Sequence, residues 1–422
     1  MWTLLIISVI LCLFSYFINR RFDNPAFLFS AIWTFIIVLF VFQLYNIPLT
    51  DQSFFIILVM VISFPMGVFV STVYYQGKDK YLNYAEDDSD YGYVLRKKIF
   101  WIICIFSIVV MFFDEISIII NIFQGSSFID IINENGSVQT VTMSGWKAAA
   151  YLYIIYPATY FVSPICAVEI LSEKSRKMPY IVLNLMMIFL AVMHHGARLN
   201  IILAIIVYTF GIYIFGKKFY VPKRMKRVLF GVIVIAIVAI VWLSASRGIE
   251  KIWSSFYMYF LCEFPVMDNL LNSNIVSGHT LGYLSFNGIT YPLFSLFKIF
   301  GFGVPNVYTY TQTIRQFLES NWVHISGYEH NLNAFLPAGA FFYIDGGYML
   351  EFVGIFFSGG FCNMIYQKMK RKKDARTIAT YLLIIVAILL SFFRYYGTSY
   401  QFVLGLIYIQ FIYKREILTV GR

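Results

Sequence analysis

Apolar runs of similar length recur along the chain, at about 2–18, 26–45, 54–75, 99–123, 148–170, 180–194, 199–216 and 228–245, and again at about 338–366, 377–393 and 400–413. Each approaches the roughly 20 residues that an α-helix needs to cross a bilayer. Short polar breaks separate them. After the eighth run the pattern changes. Residues 253–271 (WSSFYMYFLCEFPVMDNLL) and 283–303 (YLSFNGITYPLFSLFKIFGFG) are apolar but interrupted by charge, proline and glycine. Either interfacial helices or a re-entrant pair fits such segments. The pattern predicts an all-α polytopic integral membrane protein with about eleven transmembrane helices. It divides into an N-terminal bundle of about eight helices over 1–245, a large loop over 246–337, and C-terminal helices with a tail over 338–422.

Composition agrees with this division. Of 422 residues, 60% are hydrophobic and only 13% charged, against about 25% charged in soluble domains. The net charge of +10 does not point to nucleic acid, because most of it lies in short loops, where basic residues orient helices. Arg20 and Arg21 fall on one side, with Lys78, Lys80, Arg96, Lys97 and Lys98, then Lys174, Arg176 and Lys177. The Lys217–Arg227 loop, the run from Lys368 to Arg376, and Lys414 with Arg415 join them, whereas the alternate loops 46–53 and 124–146 carry no basic residue. The basic side is predicted to be cytoplasmic, and the N-terminus and the 246–337 loop external. The first apolar run meets its arginines after the run rather than before it, which fits a retained helix better than a cleaved signal. Cys12, Cys104, Cys166, Cys262 and Cys362 show no CxxC pair and no zinc spacing, and are read as small apolar side chains. The acidic stretch from Glu86 to Asp90 reads as a solvated loop.

The exceptions to the charge rule carry the candidate chemistry. The stretch MHHGARLN (193–200) joins the sixth and seventh runs on the outward side, so Arg198 breaks the positive-inside pattern. Arg247 in SASRGIE, Arg315, and Arg394 in SFFRYYG do the same. An ionisable group at the edge of the hydrocarbon is a functional candidate by default. A guanidinium is always charged and forked, which suits paired phosphate oxygens. Gly196 and Gly248 allow the backbone close to a ligand. Arg198 and Arg247 are expected to share one outward pocket for a membrane-anchored phosphate or pyrophosphate. Asp114 and Glu115, outward at the end of the fourth run, are further candidates. Among the histidines, His330 in GYEHN is best placed to serve as a base, with Glu329 beside it and Asp345 downstream. His194, His195, His279 and His324 are read as structural. Tyr308, Tyr310, Trp322 and Tyr328 in the large loop are candidate sugar platforms, whereas interfacial belts account for most other aromatics. No cluster of metal ligands is visible.

The order HHGARLNIILAII, then SASRG after one further helix, then a long external loop, resembles bacterial oligosaccharide repeat-unit polymerases of the O-antigen and capsule (Wzy) type. The stretch NAFLPAGAFFYIDGGYMLEFVGIFFSGGFCNMIY (333–366) is similar to that family's Asn or Thr, Tyr, Asp, Gly pattern ahead of a glycine-bearing apolar span. This chain reads Asp-Gly-Gly at 345–347 where the family is expected to carry Asp-Phe-Gly. The resemblance spans roughly residues 190–370. It implies a GT-C-like fold and a metal-independent, cofactor-free glycosyltransferase in the bacterial cytoplasmic (inner) membrane. The partners implied are undecaprenyl-pyrophosphate-linked oligosaccharides, membrane lipids and a chain-length regulator. A hydroxyl on an acceptor unit attacks the anomeric carbon of the donor glycan, and lipid pyrophosphate leaves, stabilised by Arg198, Arg247, Arg315 and Arg394. Two rivals stay open: an O-antigen-ligase-like transferase, and a flippase or transporter of the lipid-linked unit. A transporter is expected to carry its charged site near mid-membrane on broken helices.

Overall fold

A computed structural model describes residues 1–82, 91–123, 145–172, 177–195, 199–216, 231, 252–320, 322–328, 331 and 336–417. The described chain is mainly α-helical. Its helices are α1 (Trp2–Asn19), α2 (Pro25–Phe42), α3 (Asp51–Leu82), α4 (Lys97–Phe123), α5 (Gly145–Leu171), α6 (Lys177–His195) and α7 (Leu199–Phe215). They continue with α8 (Ile252–Leu261), α9 (Glu263–Leu271), α10 (Asn287–Ile299), α11 (Asn306–Ser320), α12 (Ala338–Lys372), α13 (Ala375–Leu389) and α14 (Tyr400–Ile412). Among the described residues 7 helices, α1 to α6 and α12, are long and apolar enough to cross a membrane, and α7, α13 and α14 are shorter apolar helices. The expected run over 228–245 lies outside the described residues apart from Gly231.

The exposed surface identifies the solvent. On α4, Ile102, Ile105, Phe106, Val109, Phe112, Phe113 and Ile116 are exposed at intervals of three and four residues. In water such a stripe would forgo about 1.5–3 kcal/mol per side chain. The same spacing marks Ile6, Ile10, Leu13 and Phe17 on α1. Apolar stripes facing outward at helical spacing are lipid-facing surfaces, and the chain is a membrane-embedded helical protein.

Packing does not follow the linear division at 245 and 337. One compact unit comprises Met1–Glu86, Trp253–Lys372 and Ala387–Tyr400; the other comprises Asp87–Ile252, Lys373–Val386 and Gln401–Arg422. In the first unit α3 and α12 touch backbone to backbone. A Cβ at Gly67 would overlap the Phe356 carbonyl, and one at Gly359 the Phe64 carbonyl. Small residues permit this approach where lipid offers no hydrophobic drive for helix association. Asn363 then donates to the Val68 carbonyl (3.2 Å) and the Thr72 hydroxyl (3.1 Å) across the same contact. The start of α3 is capped from another helix: Asp268 on α9 accepts from the Thr50 amide (3.0 Å), the Thr50 hydroxyl (2.8 Å) and the Ser53 hydroxyl, placing a negative charge at a helix N-terminus.

The second unit is built around α5, buried along nearly all of Pro157–Leu171. Gly211 on α7 and Gly405 on α14 pack against Leu171 and Tyr160 of that helix. This unit holds two strands the apolar pattern does not predict, β1 (Tyr91–Leu95) and β2 (Tyr413–Ile417), antiparallel with Tyr93 opposite Arg415. The guanidinium of Arg376 sits 3.5 Å from the centre of the Tyr93 ring.

Candidate functional site

In the first unit the site starts from a break in α12. Gly346 and Gly347 leave the helical conformation, and Gly347 takes φ 71° and ψ −168°, a region essentially closed to side chains bearing a Cβ. The break frees Asp345, at 0% exposure, to bond a neighbouring segment. Its Oδ1 accepts from the Thr280 hydroxyl and the Leu284 amide (3.1 Å), and its Oδ2 from the Ser285 amide (2.9 Å). The backbone adds Thr280 N–H to Ile344 C=O (3.3 Å) and Leu281 N–H to Asp345 C=O (3.1 Å). The turn thus held contains two left-handed residues, Leu281 and Gly282, and leads directly into α10. Both oxygens of Asp345 are thus occupied in holding this turn.

What the turn positions is Asn287, the first residue of α10, buried at 0% exposure. Its Oδ1 accepts from Arg315 on α11. That bond fixes the amide orientation, because a guanidinium donates only. The Nδ2 of Asn287 then points away from Arg315, buried and without a hydrogen-bond partner among the described residues. Gln312, one turn earlier on α11, likewise leaves Nε2 buried and unpartnered among them. Arg315 lies 5.7 Å from the centre of the Tyr291 ring and 3.7 Å from the Glu319 carboxylate. Burial pulls its guanidinium below the ordinary value; Glu319 opposes this and the charge of Arg394 adds to it. Arg394 follows the end of α13, beside Tyr395, which bonds Ser358 (3.2 Å). Its guanidinium makes no hydrogen bond or ion pair with a described residue. Arg315 and Arg394, with the buried amide donors of Asn287 and Gln312 that lack acceptors among the described residues, form a supply of donors. That arrangement suits an anion with several oxygens.

The other predicted residues fall as follows. Arg198, Arg247, Glu329 and His330 lie outside the described residues, so the expected Arg198–Arg247 pocket is not described. Tyr308 is 2% exposed, with its ring 4.5 Å from that of Phe294 and Lys298 above it at 5.8 Å. Burial pushes its phenol up to about 12, with Arg315 working against the rise. Tyr328 is buried against Tyr45, ring centres 5.6 Å apart. Tyr310 turns its hydroxyl onto the 275–278 backbone, accepting from the Ser277 and Gly278 amides at 2.9 and 3.1 Å. These three tyrosines fasten the fold, and as placed neither Tyr308 nor Tyr328 offers an open ring face for sugar stacking. Trp322, 59% exposed, does. Asn287 and Gln312 carry no sequence signal: each is a common amide in an ordinary helical stretch.

The second unit holds a cluster that sequence reading only grazes. Glu115 on α4 and His194 on α6 are both buried, with Oε1 and Nδ1 2.5 Å apart. The Tyr156 hydroxyl lies 3.2 Å from His194 Nε2, and the Tyr151 ring stacks on the imidazole at 4.9 Å and 16°. Tyr151 donates to Asp114 Oδ2 at 2.5 Å, and Lys147 pairs with Asp114 Oδ1 at 2.6 Å. Asp114 and Glu115 are legible by their position. His194, read as structural, is buried at the centre of the cluster, and its tyrosines are hidden among 32 in the chain. Among the described residues no group of three or more His, Cys, Asp or Glu is arranged to hold a metal ion. No family model, curated protein or solved structure matches this chain.

Proposed function

We propose that the protein is a repeat-unit polymerase of the Wzy type, joining undecaprenyl-pyrophosphate-linked oligosaccharides into O-antigen or capsular polysaccharide on the outer face of the cytoplasmic membrane. The carrying observation is that Arg315, whose guanidinium holds the Asn287 amide and feels the charge of Arg394, is accompanied by buried amide donors of Asn287 and Gln312 that lack partners among the described residues. Pre-placed donors of this kind stabilise the charge that develops on a departing pyrophosphate without reorganising during the reaction. The leaving group is a weak base, so it departs without a proton; the attacking hydroxyl is the group that must lose one. About eleven spans, a GT-C-like bundle and an outward 246–337 segment belong to the same reading, supported by the charge parity of the loops.

The test is purified protein in lipid vesicles with lipid-linked repeat units, read as a ladder of polymer lengths. Arg394→Ala is expected to weaken stabilisation of the leaving group by about ten- to hundredfold, the range of one charge-assisted hydrogen bond. Arg394→Lys is expected to rescue poorly, because an ammonium lacks the fork. A parental rate in Arg394→Ala would remove the leaving-group role.

One observation favours a second reading, a transporter of the lipid-linked unit. The break in α12 separates Asp345 from Glu351, which is buried with neither oxygen hydrogen-bonded among the described residues. Broken helices bearing buried ionisable groups are the usual build of transporter sites. Movement of single labelled units across protein-containing vesicles, with no chain growth, would favour it over the polymerase.

A further inference from the structure

We propose that α10 and its aromatic tip form an in-plane membrane anchor, an amphipathic helix lying in the bilayer boundary with its outward apolar face sunk among lipid chains. Such an anchor is common to the polymerase and transporter readings and rests on neither. Helical geometry draws the face. At about 100° per residue, Phe286, Ile289, Leu293, Leu296, Phe297 and Phe300 fall within an arc of about 100°. All six are exposed, from 38% at Leu296 to 71% at Phe300. No polar residue shares the arc. The rest of the helix buries Asn287, Gly288, Pro292 and Phe294, and carries Lys298, its only charged residue.

The end of the helix extends this face. The Phe302 amide donates to the Phe297 carbonyl (2.9 Å) and the Gly301 amide to the Lys298 carbonyl (3.1 Å), with Gly301 at φ 74°. Two such bonds around a left-handed glycine close a helix firmly, and an apolar contact across the turn accompanies them. Here that contact joins the rings of Phe297 and Phe302, 6.0 Å apart. The backbone of the tip is thus fixed, yet Phe300 and Phe302 are 71% and 63% exposed. Water disfavours a fixed turn that presents two phenylalanine rings outward; lipid chains favour it.

Depth, length and the neighbouring helix select lipid as the partner. Helix α10 packs on the turn at 396–398, and Tyr291 stacks on Tyr400 at 5.4 Å. That turn joins the end of α13 to the start of α14, both apolar helices. So α10 lies where they leave the hydrocarbon, at the outer leaflet by the charge of the loops. Its 13 residues extend about 20 Å, short of the roughly 30 Å of hydrocarbon, and do not cross it. Helix α11, joined to it by the Phe294–Tyr308 ring contact at 4.5 Å, exposes Thr309, Thr313, Gln316, Glu319 and Ser320. A hairpin with one apolar and one polar outward face does not fit inside the hydrocarbon as a re-entrant pair. It fits the boundary, with α10 toward the chains and α11 toward water. Lys298, above the Tyr308 ring, then lies on the water side, within reach of headgroup phosphates. Because α10 begins at Asn287, the anchor holds the Asn287–Arg315 pair at headgroup level.

The experiment is spin labelling of the full-length protein in lipid vesicles. Cys12→Ser provides the background, because Cys12 is the one cysteine that is not buried. Nitroxides at Leu293→Cys and Phe300→Cys are compared with one at Thr313→Cys, on the exposed side of α11. Oxygen concentrates in lipid chains, so its relaxing effect is expected to exceed that of a water-soluble nickel complex at 293 and 300. At 313 the order is expected to reverse. Both α10 labels are expected at depths of about 5–10 Å into the headgroup boundary. The anchor is overturned if nickel dominates at 293 and 300 as it does at 313, since the face would then stand in water. Labels near the bilayer centre, about 15 Å deep, would overturn it by showing a crossing. Labels shielded from both reagents would overturn it by showing that protein covers the face. Phe300→Cys changes an exposed side chain just past the last helical residue, and carries the test even if Leu293→Cys fails to fold.

Discussion

Replacing Asp345 separates a positioning role from a catalytic one. The carboxylate accepts from the Leu284 amide (3.1 Å), the Ser285 amide (2.9 Å) and the Thr280 hydroxyl, all buried. In Asp345→Ala the two amides lose their acceptor where water does not reach, at about 1–3 kcal/mol each. The Thr280 hydroxyl can rotate to another acceptor and adds less. The expected loss is about 2–6 kcal/mol, a large part of the 5–15 kcal/mol that holds a typical protein folded. Asp345→Asn keeps the shape but sets an amide N–H against one of the two backbone N–H groups. Its loss is expected near the lower half of that range. The assay is thermal unfolding in detergent at one fixed scan rate, with pyrophosphate binding measured in parallel. Both variants are expected to melt below the parent. Both are expected to bind pyrophosphate more weakly, because the turn into α10 no longer holds Asn287 against Arg315. A catalytic base predicts the opposite for Asp345→Asn, namely parental melting and binding with chain extension lost. That outcome would refute the positioning role.

Gly359→Leu is expected to abolish folding, since its Cβ overlaps the Phe64 carbonyl, whereas Gly360→Ala, with its nearest contact at 3.7 Å, is expected to be tolerated; size-exclusion profiles of the two distinguish them. Burial raises the Tyr308 phenol from 10.0 to about 12, so the neutral phenol contributes stability that is fully present below pH 10 and lost as pH rises toward 12. Tyr308→Phe is expected to flatten the alkaline unfolding curve over that window, and an unchanged curve would count against the buried placement. A thiol introduced at Ser320 is expected to react with an impermeant reagent added outside, and one at Arg224 to be spared. The reverse pattern would sink the proposed orientation.

The helices are legible in the sequence because their signal is additive: each run repeats one preference over many residues, and errors at single positions cancel. The breaks are not. Gly346 and Gly347 are visible as letters, but that they free Asp345 depends on a turn at 280–285 with two left-handed residues, Leu281 and Gly282. The strands at 91–95 and 413–417 escape the apolar pattern because each has only 5 residues and exists through pairing with a segment at the other end of the chain. Charge parity predicts Arg315 and Arg394 on one side of the membrane, but the bond of Arg315 to Asn287 comes from tertiary packing.

The two tyrosine groups show why residue type alone misassigns roles. Tyr308, Tyr310 and Tyr328 stand out because they lie in a polar, loop-like stretch where an aromatic needs a reason. The reason is local: each ties a short helix or turn to its neighbour. Tyr151 and Tyr156 draw no notice because they sit in an apolar helix, where aromatics are ordinary. Inside the membrane, however, a phenolic hydroxyl must find a partner or forfeit its hydrogen bond. The partners there are few, so a pair of tyrosines one π-turn apart, facing a histidine and two carboxylates at the same end of three helices, is a more specific arrangement than any set of exposed rings. The informative polar groups in such a chain are those that the lipid leaves no alternative but to bond one another.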